Sequence, residues 1–247
     1  LYFQGMDGDK QPSGTRSASI TDSRGVEHTD HKELNGTLRE VITRNGEGGQ
    51  VISREITTPW MKETAKVTHA WGSQSAHMIQ TEQVVKFARK KDGTWYQTKV
   101  DNTINDQGAV TQVHEHGDVD VPGDEKCVHT TYVDNTDAWI LNLVSRTETL
   151  AVASAKTPAR PEDVITDERV SYDGKAHGAT PTKGLPTRTE KLDSYSDGDP
   201  VYQMVQEAEF DDFGNTVAET DASGGVTTTD YTFTTAGLPE TSTEINP

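Results

Sequence analysis

The amino-acid sequence predicts an all-β protein, with antiparallel hairpins laid side by side in a curved, right-twisted sheet; a β-sandwich is the alternative. Three observations carry this. Val, Ile and Thr recur in alternating order through most of the chain, the period of strands wetted on one face. Gly-rich turns separate the alternating runs. Hydrophobic residues make up only 31% of the 247 positions. That is thin provision for a deep core but suits sheets wetted on one or both faces.

The elements follow in order. Leu1-Tyr2-Phe3-Gln4-Gly5 reads as the remnant of a protease-cleavable tag and is set aside from fold reasoning. Residues 6–35 hold almost no apolar side chain and are expected to be a polar, flexible segment. Residues 36–156 form the first sheet segment. In it, Leu38, Glu40 and Ile42, then Val51, Ser53 and Glu55, alternate around Asn45-Gly46-Glu47-Gly48-Gly49. Glycine recurs there because such turns need positive φ, which a Cβ penalises. Pro59-Trp60 is expected to close this hairpin. Thr81 to Ala88 and Thr94 to Asp101 flank Lys91-Asp92-Gly93. Ile104 and Val110 to Val113 flank Asn105-Asp106-Gln107-Gly108. Cys127 to Tyr132 and Trp139 to Thr149 flank Asn135-Thr136-Asp137. Thr147 to Lys156 is short and Ala-rich, and is read as strand followed by loop. Residues 157–161, bounded by Pro158 and Pro161, form a linker before a second β segment at 162–247.

Charge excludes some functions. Lys and Arg number 23 against 40 Asp and Glu, a net charge of −17. Such a balance disfavours nucleic acid and anionic membrane surfaces and keeps a long β-protein soluble. No apolar run approaches the roughly 20 residues of a membrane-spanning helix. The single cysteine, Cys127, offers neither a disulfide framework nor a metal pair.

The C-terminal part repeats itself. Phe210-Asp211-Asp212-Phe213-Gly214-Asn215 is followed by Thr220-Asp221-Ala222-Ser223-Gly224; then Tyr231-Thr232-Phe233 leads to Thr234-Thr235-Ala236-Gly237-Leu238. Phe210 and Phe233 share the spacing of Gly214 and Gly237. One unit is one hairpin. The glycine opens a tight turn, the acid caps it by accepting backbone N–H bonds, and the aromatic stacks on its neighbour in the next hairpin. A lone hairpin is marginal in water, so stacked hairpins are stable only together. A fuller version, Tyr172-Asp173-Gly174, lies upstream.

These units resemble the YD repeat of Rhs proteins, in which Tyr-Asp-x-x-Gly is followed by Thr-Asp-x-x-Gly. The resemblance extends over residues 36–247 through Asn105 to Val113, His116-Gly117-Asp118, Thr130-Thr131-Tyr132, Val144 to Thr147 and Pro181 to Gly184. Those fragments are similar to the region before the repeats in actinobacterial Rhs-like proteins and in toxin-complex B and C components. The resemblance implies a spiralling β-sheet that builds a secreted, hollow shell, within which some members enclose a C-terminal payload. It implies a structural wall role, other shell segments or a payload as partners, and an extracellular location. Excised sheet edges would pair edge to edge or be capped by the chain's own N-terminal segment.

No catalytic, cofactor or metal site is expected. His114-Glu115-His116 places two imidazoles on one strand face, but two ligands are too few for structural zinc, and the plainer reading is a pair of exposed strand histidines. Asp118, Asp120, Asp124 and Glu125 only half match a calcium loop and read as a solvated acidic turn. Ser73 and Ser75 near His77 fall in a polar linker without an orienting acid. Paired carboxylates for glycoside cleavage have only the abundance of acids behind them. Trp60, Trp71, Trp95 and Trp139, with Tyr96, Tyr132, Tyr172 and Tyr202, are read chiefly as the large apolar groups of a thin sheet. Exposed and coplanar, they would instead make a carbohydrate-binding or adhesion surface.

Overall fold

The computed structural model describes residues 1–5 and 19–246. β1 (Ser19–Thr21) and β2 (Glu27–Thr29) form a two-stranded ribbon. The remaining strands make one antiparallel sheet. They are β3 (Glu40–Arg44), β4 (Val51–His69), β5 (Gly72–Arg89), β6 (Trp95–Ile104), β7 (Val110–Asp118), β8 (Lys126–Asn135), β9 (Ile140–Leu150), β10 (Val164–Tyr172), β11 (Pro186–Ser196), β12 (Asp199–Phe210), β13 (Thr216–Asp221), β14 (Val226–Phe233) and β15 (Pro239–Ile245). Their order in the sheet is their order in the sequence. Among the described residues β3 and β15 are the end strands of this order, so the sheet does not close into a barrel. Hairpins in sequence order need only short turns, which is what the Gly-rich spacing supplies.

The chain divides into two compact units, Leu1–Cys127 and the part from Val128 onward. The division falls within β8. Residues 157–161 lie in the loop between β9 and β10, which is tied across its base. The Ala151 N–H donates to the Asp163 carbonyl at 2.8 Å, and the Asp163 carboxylate accepts from Ala159 N–H at 2.6 Å.

In the first unit, residues 19–35 of the polar N-terminal stretch hold β1, β2 and a 3-10 turn at Lys32–Leu34, and its residues 6–18 lie outside the described residues. Ile20, Leu34 and Phe3 bury together. The tag remnant therefore takes part in packing, and Tyr2 bridges to Leu38. The Asp30 carboxylate accepts from the Gln4 and Gly5 N–H groups at 2.9 Å. Polar composition did not prevent folding here because most buried polar groups find partners, although Arg39 Nε has none among the described residues. Buried Asp22 accepts from Arg24 at 2.7 Å and contacts His28 Nε2 at 3.0 Å. Buried Arg39 donates to the Thr57 carbonyl at 2.7 Å.

β4 also departs from expectation. It runs through Pro59-Trp60 to His69 instead of ending there, and the Ser73–His77 stretch is strand β5 rather than linker. Proline cannot donate to a ladder, and the pairing register shifts between Thr58 and Pro59 to accommodate it. Farther down the hairpin, Ile56 and Val85 are register partners and both are buried. Trp139 lies in the turn before β9, at φ 57° and 81% exposed, not at a strand start.

In the second unit ion pairs replace much of the missing apolar core. Fully buried Asp167 on β10 takes a two-pronged contact from Arg146 on β9, at 2.8 and 2.6 Å, and a 2.7 Å bond from the Tyr202 hydroxyl on β12. Burial and that bond push the Tyr202 phenol up to about 12. Arg169 stacks over the Tyr202 ring and donates to Glu190 at 2.6 Å. Charges buried in this way hold only while every partner is present.

Candidate functional site

The residues singled out in the repeat occupy three kinds of turn. Tyr172 ends β10, and its hydroxyl donates to the Val144 carbonyl at 2.8 Å. Asp173 follows at φ 58°, left-handed backbone that Asp tolerates better than most residues. Its Oδ2 accepts from the N–H groups of Thr182 (2.6 Å), Lys183 (3.0 Å) and Gly184 (3.2 Å), and its Oδ1 from Leu185 (3.0 Å). One side chain thus closes the whole loop from Asp173 to Leu185. Burial pushes its carboxyl up, but those four backbone donors outweigh it and hold the group well below the usual aspartate range.

The later turns are local. After β12 ends at Phe210, Asp211 Oδ1 accepts from Phe213 and Asn215 N–H, both at 2.9 Å, and Oδ2 from the Asn215 side-chain amide at 2.8 Å. Asp221 Oδ1 accepts from Ser223 (2.8 Å) and Gly225 (2.9 Å). At the third turn the Thr234 hydroxyl takes the place of the carboxylate, accepting from Leu238 N–H at 3.1 Å. Gly214, Gly224 and Gly237 sit at φ 87°, 86° and 79°, the conformation these turns require. The aromatic contact differs from the expected one. Phe233 packs on Phe213, at 5.5 Å between centroids, and on Tyr231, at 6.3 Å, rather than on Phe210.

A second arrangement was only half visible in the sequence. Gln83 on β5, Asp101 on β6 and His114 on β7 are successive register partners, one polar row across three strands. Between Thr98 and Val100 the register shifts, so that β7 carries an extra residue beside Gly117, at φ 59°. His116 there meets the row. Its Nε2 lies 2.6 Å from Asp101 Oδ2, and its ring stacks on His114 with centroids 3.8 Å apart. Gln83 donates to Asp101 Oδ1 at 2.8 Å, and Lys99 Nζ lies 2.8 Å from Oδ2. Burial raises the Asp101 carboxyl, but the Lys99, Gln83 and His116 bonds prevail and set it below the aspartate range. Burial, then the adjacent His116, lowers the His114 imidazole. The two histidines are therefore half-buried and coupled to a carboxylate, not the exposed pair expected. Their missing partner lies thirteen residues upstream of His114, where only the strand register could place it.

The other candidates do not assemble. The acids of the 118–125 turn bond within their own loop. Asp124 accepts from Asp118 N–H (2.8 Å), Asp118 from Asp120 (3.1 Å) and Glu125 from Gly123 (2.9 Å). Ser75 donates to Glu63 and Ser73 meets Thr68, so neither is aimed at His77. Trp60 and Trp95 are half-buried, whereas Trp71 is 72% exposed and stacks on His69 at 4.6 Å.

No protein-family model matches the chain, and no curated protein matches it by sequence. Solved structures do resemble it. The complex TcdB2-TccC3-Cdc42 superposes with a TM-score of 0.50 at 10% identity over 86% of this chain. TcdB2-TccC3 without its hypervariable C-terminal region scores 0.48 at 10% identity over 86%, and the Photorhabdus luminescens Tc holotoxin pore 0.48 at 10% over 85%. In each case the match spans 16% of the neighbour's chain. At that identity the likeness is one of fold alone: an all-β sheet similar to part of the TcdB2-TccC3 chain.

Proposed function

We propose that the chain is a wall segment of a secreted Rhs/YD-repeat β-shell, without catalytic chemistry of its own, and that the intact protein encloses a payload. The observation that carries this reading is the thirteen-strand sheet in unbroken sequence order, with β3 and β15 as its end strands. A sheet built by adding hairpins one after another extends without limit, as a wall must. Its free ends are liabilities unless a neighbouring segment covers them. The fold likeness to TcdB2-TccC3 supports the same reading. Size-exclusion chromatography with light scattering and small-angle X-ray scattering tests it. An edge-paired or elongated particle is expected, and a compact, strictly monomeric one would overturn it.

The exposed rings of Trp71 and Trp139 support a second reading, a carbohydrate-binding or adhesion surface. A glycan array in which Trp71→Ala and Trp139→Ala abolish a signal would support it, and a silent array would remove it.

A further inference from the structure

We propose that Asp101, His114 and His116 form a divalent-metal site that takes a borderline-soft transition ion of the Zn²⁺ class and clamps β6 to β7. One donor atom from each lies within 4.8 Å of the other two. Two imidazoles and one carboxylate are a donor set that such ions accept, with solvent in the remaining position. Oxygen-seeking Ca²⁺ and Mg²⁺ are not suited to it.

Two features mark this as more than a chance meeting of polar side chains. His114 Nε2 is fully shielded from solvent, yet among the described residues it has no hydrogen-bond partner. A buried ring nitrogen left unpaired is costly, and coordination would satisfy it. Asp101 is in turn oriented by Gln83 through the oxygen that His116 does not contact. That is the supporting contact that metal-binding carboxylates generally have. Metal–ligand bonds of about 2.0–2.2 Å at tetrahedral angles put donor atoms roughly 3.4 Å apart. The 2.6 Å contact between His116 and Asp101 therefore opens slightly on binding. Lys99 opposes the ion. Its ammonium occupies one side of Asp101 Oδ2 and must swing toward solvent.

The test is a titration of the full chain, prepared without a histidine tag, with Zn²⁺ alone, followed by calorimetry and thermal melting. One equivalent should bind and raise the melting temperature. His116→Ala and Asp101→Asn should each abolish that equivalent. His114→Phe, which keeps an aromatic ring beside β6, should do the same while preserving the fold. Gln83→Leu should weaken binding by about ten-fold or more through loss of the orienting bond. Lys99→Met should tighten it. No saturable binding, or binding that survives His116→Ala and His114→Phe in folded protein, would overturn the assignment, as would weaker binding in Lys99→Met.

Discussion

The turns at Asp173 and Asp221 begin with the same residue type, and both precede a glycine at positive φ. One side chain clamps a distant loop, while the other only tidies its own turn. Asp173 engages both carboxylate oxygens and reaches Leu185. Asp221 takes its backbone N–H bonds on one and reaches no farther than Gly225. The difference teaches that an Asp-Gly signature fixes the start of a turn but not its energetic weight. Weight comes from how many N–H groups would be left unpaired if the carboxylate were removed.

Asp173→Ala is the sharpest way to break the comparison. It removes the acceptor for four N–H groups and leaves alanine at φ 58°, left-handed backbone that aspartate tolerates better than alanine does. The expected loss is about 3 kcal/mol, read as a lower urea midpoint. Asp173→Asn should be intermediate. Whichever way the amide turns, its NH₂ faces at least one backbone N–H where an acceptor is needed. Because the native carboxyl is depressed, its contribution is present above the unfolded aspartate value of about 3.9 and fades as pH falls through it. The stability gap between the wild type and Asp173→Asn should be constant from neutral pH down to about 5 and shrink below about 4. A gap that widens on acidification would refute the clamp.

Tyr172→Phe comes next. It removes the bond to the Val144 carbonyl, which joins the start of this loop to β9. The expected cost is about 1 kcal/mol, measured by the same unfolding curves. Phe210, at the corresponding position before Asp211, has no hydroxyl with which to make such a tether. The upstream unit is thus fastened at two points and the later one only at its turn.

Much of this fold was legible because hairpin repeats are written in short-range chemistry. Asn45 to Gly49, Asn105 to Gly108 and Asp211 to Asn215 all turn where glycine and a capping acid or amide predict. What was illegible depends on register. Pro59 reads as a stop, yet a register shift absorbs it and β4 continues to His69. Phe213 looks like turn filler, yet it meets Phe233 across the strands while Phe210 does not. Asp101 is one of forty acids until the β6–β7 pairing sets it opposite His114. The β10 acid Asp167 is no more conspicuous, yet it is the most heavily bonded carboxylate of its unit's ion-pair network. Local spacing cannot predict a partner that lies one strand away and one residue out of phase.

The smallest expected effect is also the most discriminating. Both backbone N–H bonds to Asp221 end on Oδ1, so Asp221→Asn can keep them by turning its carbonyl oxygen to the same place. Its unfolding midpoint at neutral pH should match that of the wild type, while Asp221→Ala should lower it by less than Asp173→Ala does. At Asp211 the second oxygen accepts from the Asn215 amide, so Asp211→Asn should fall between the two. The predicted order of loss on amide substitution is Asp173, then Asp211, then Asp221. If the three variants lost equal stability, the number of bonds each carboxylate makes would not set the strength of these turns. Their weight would then lie in the glycines that follow.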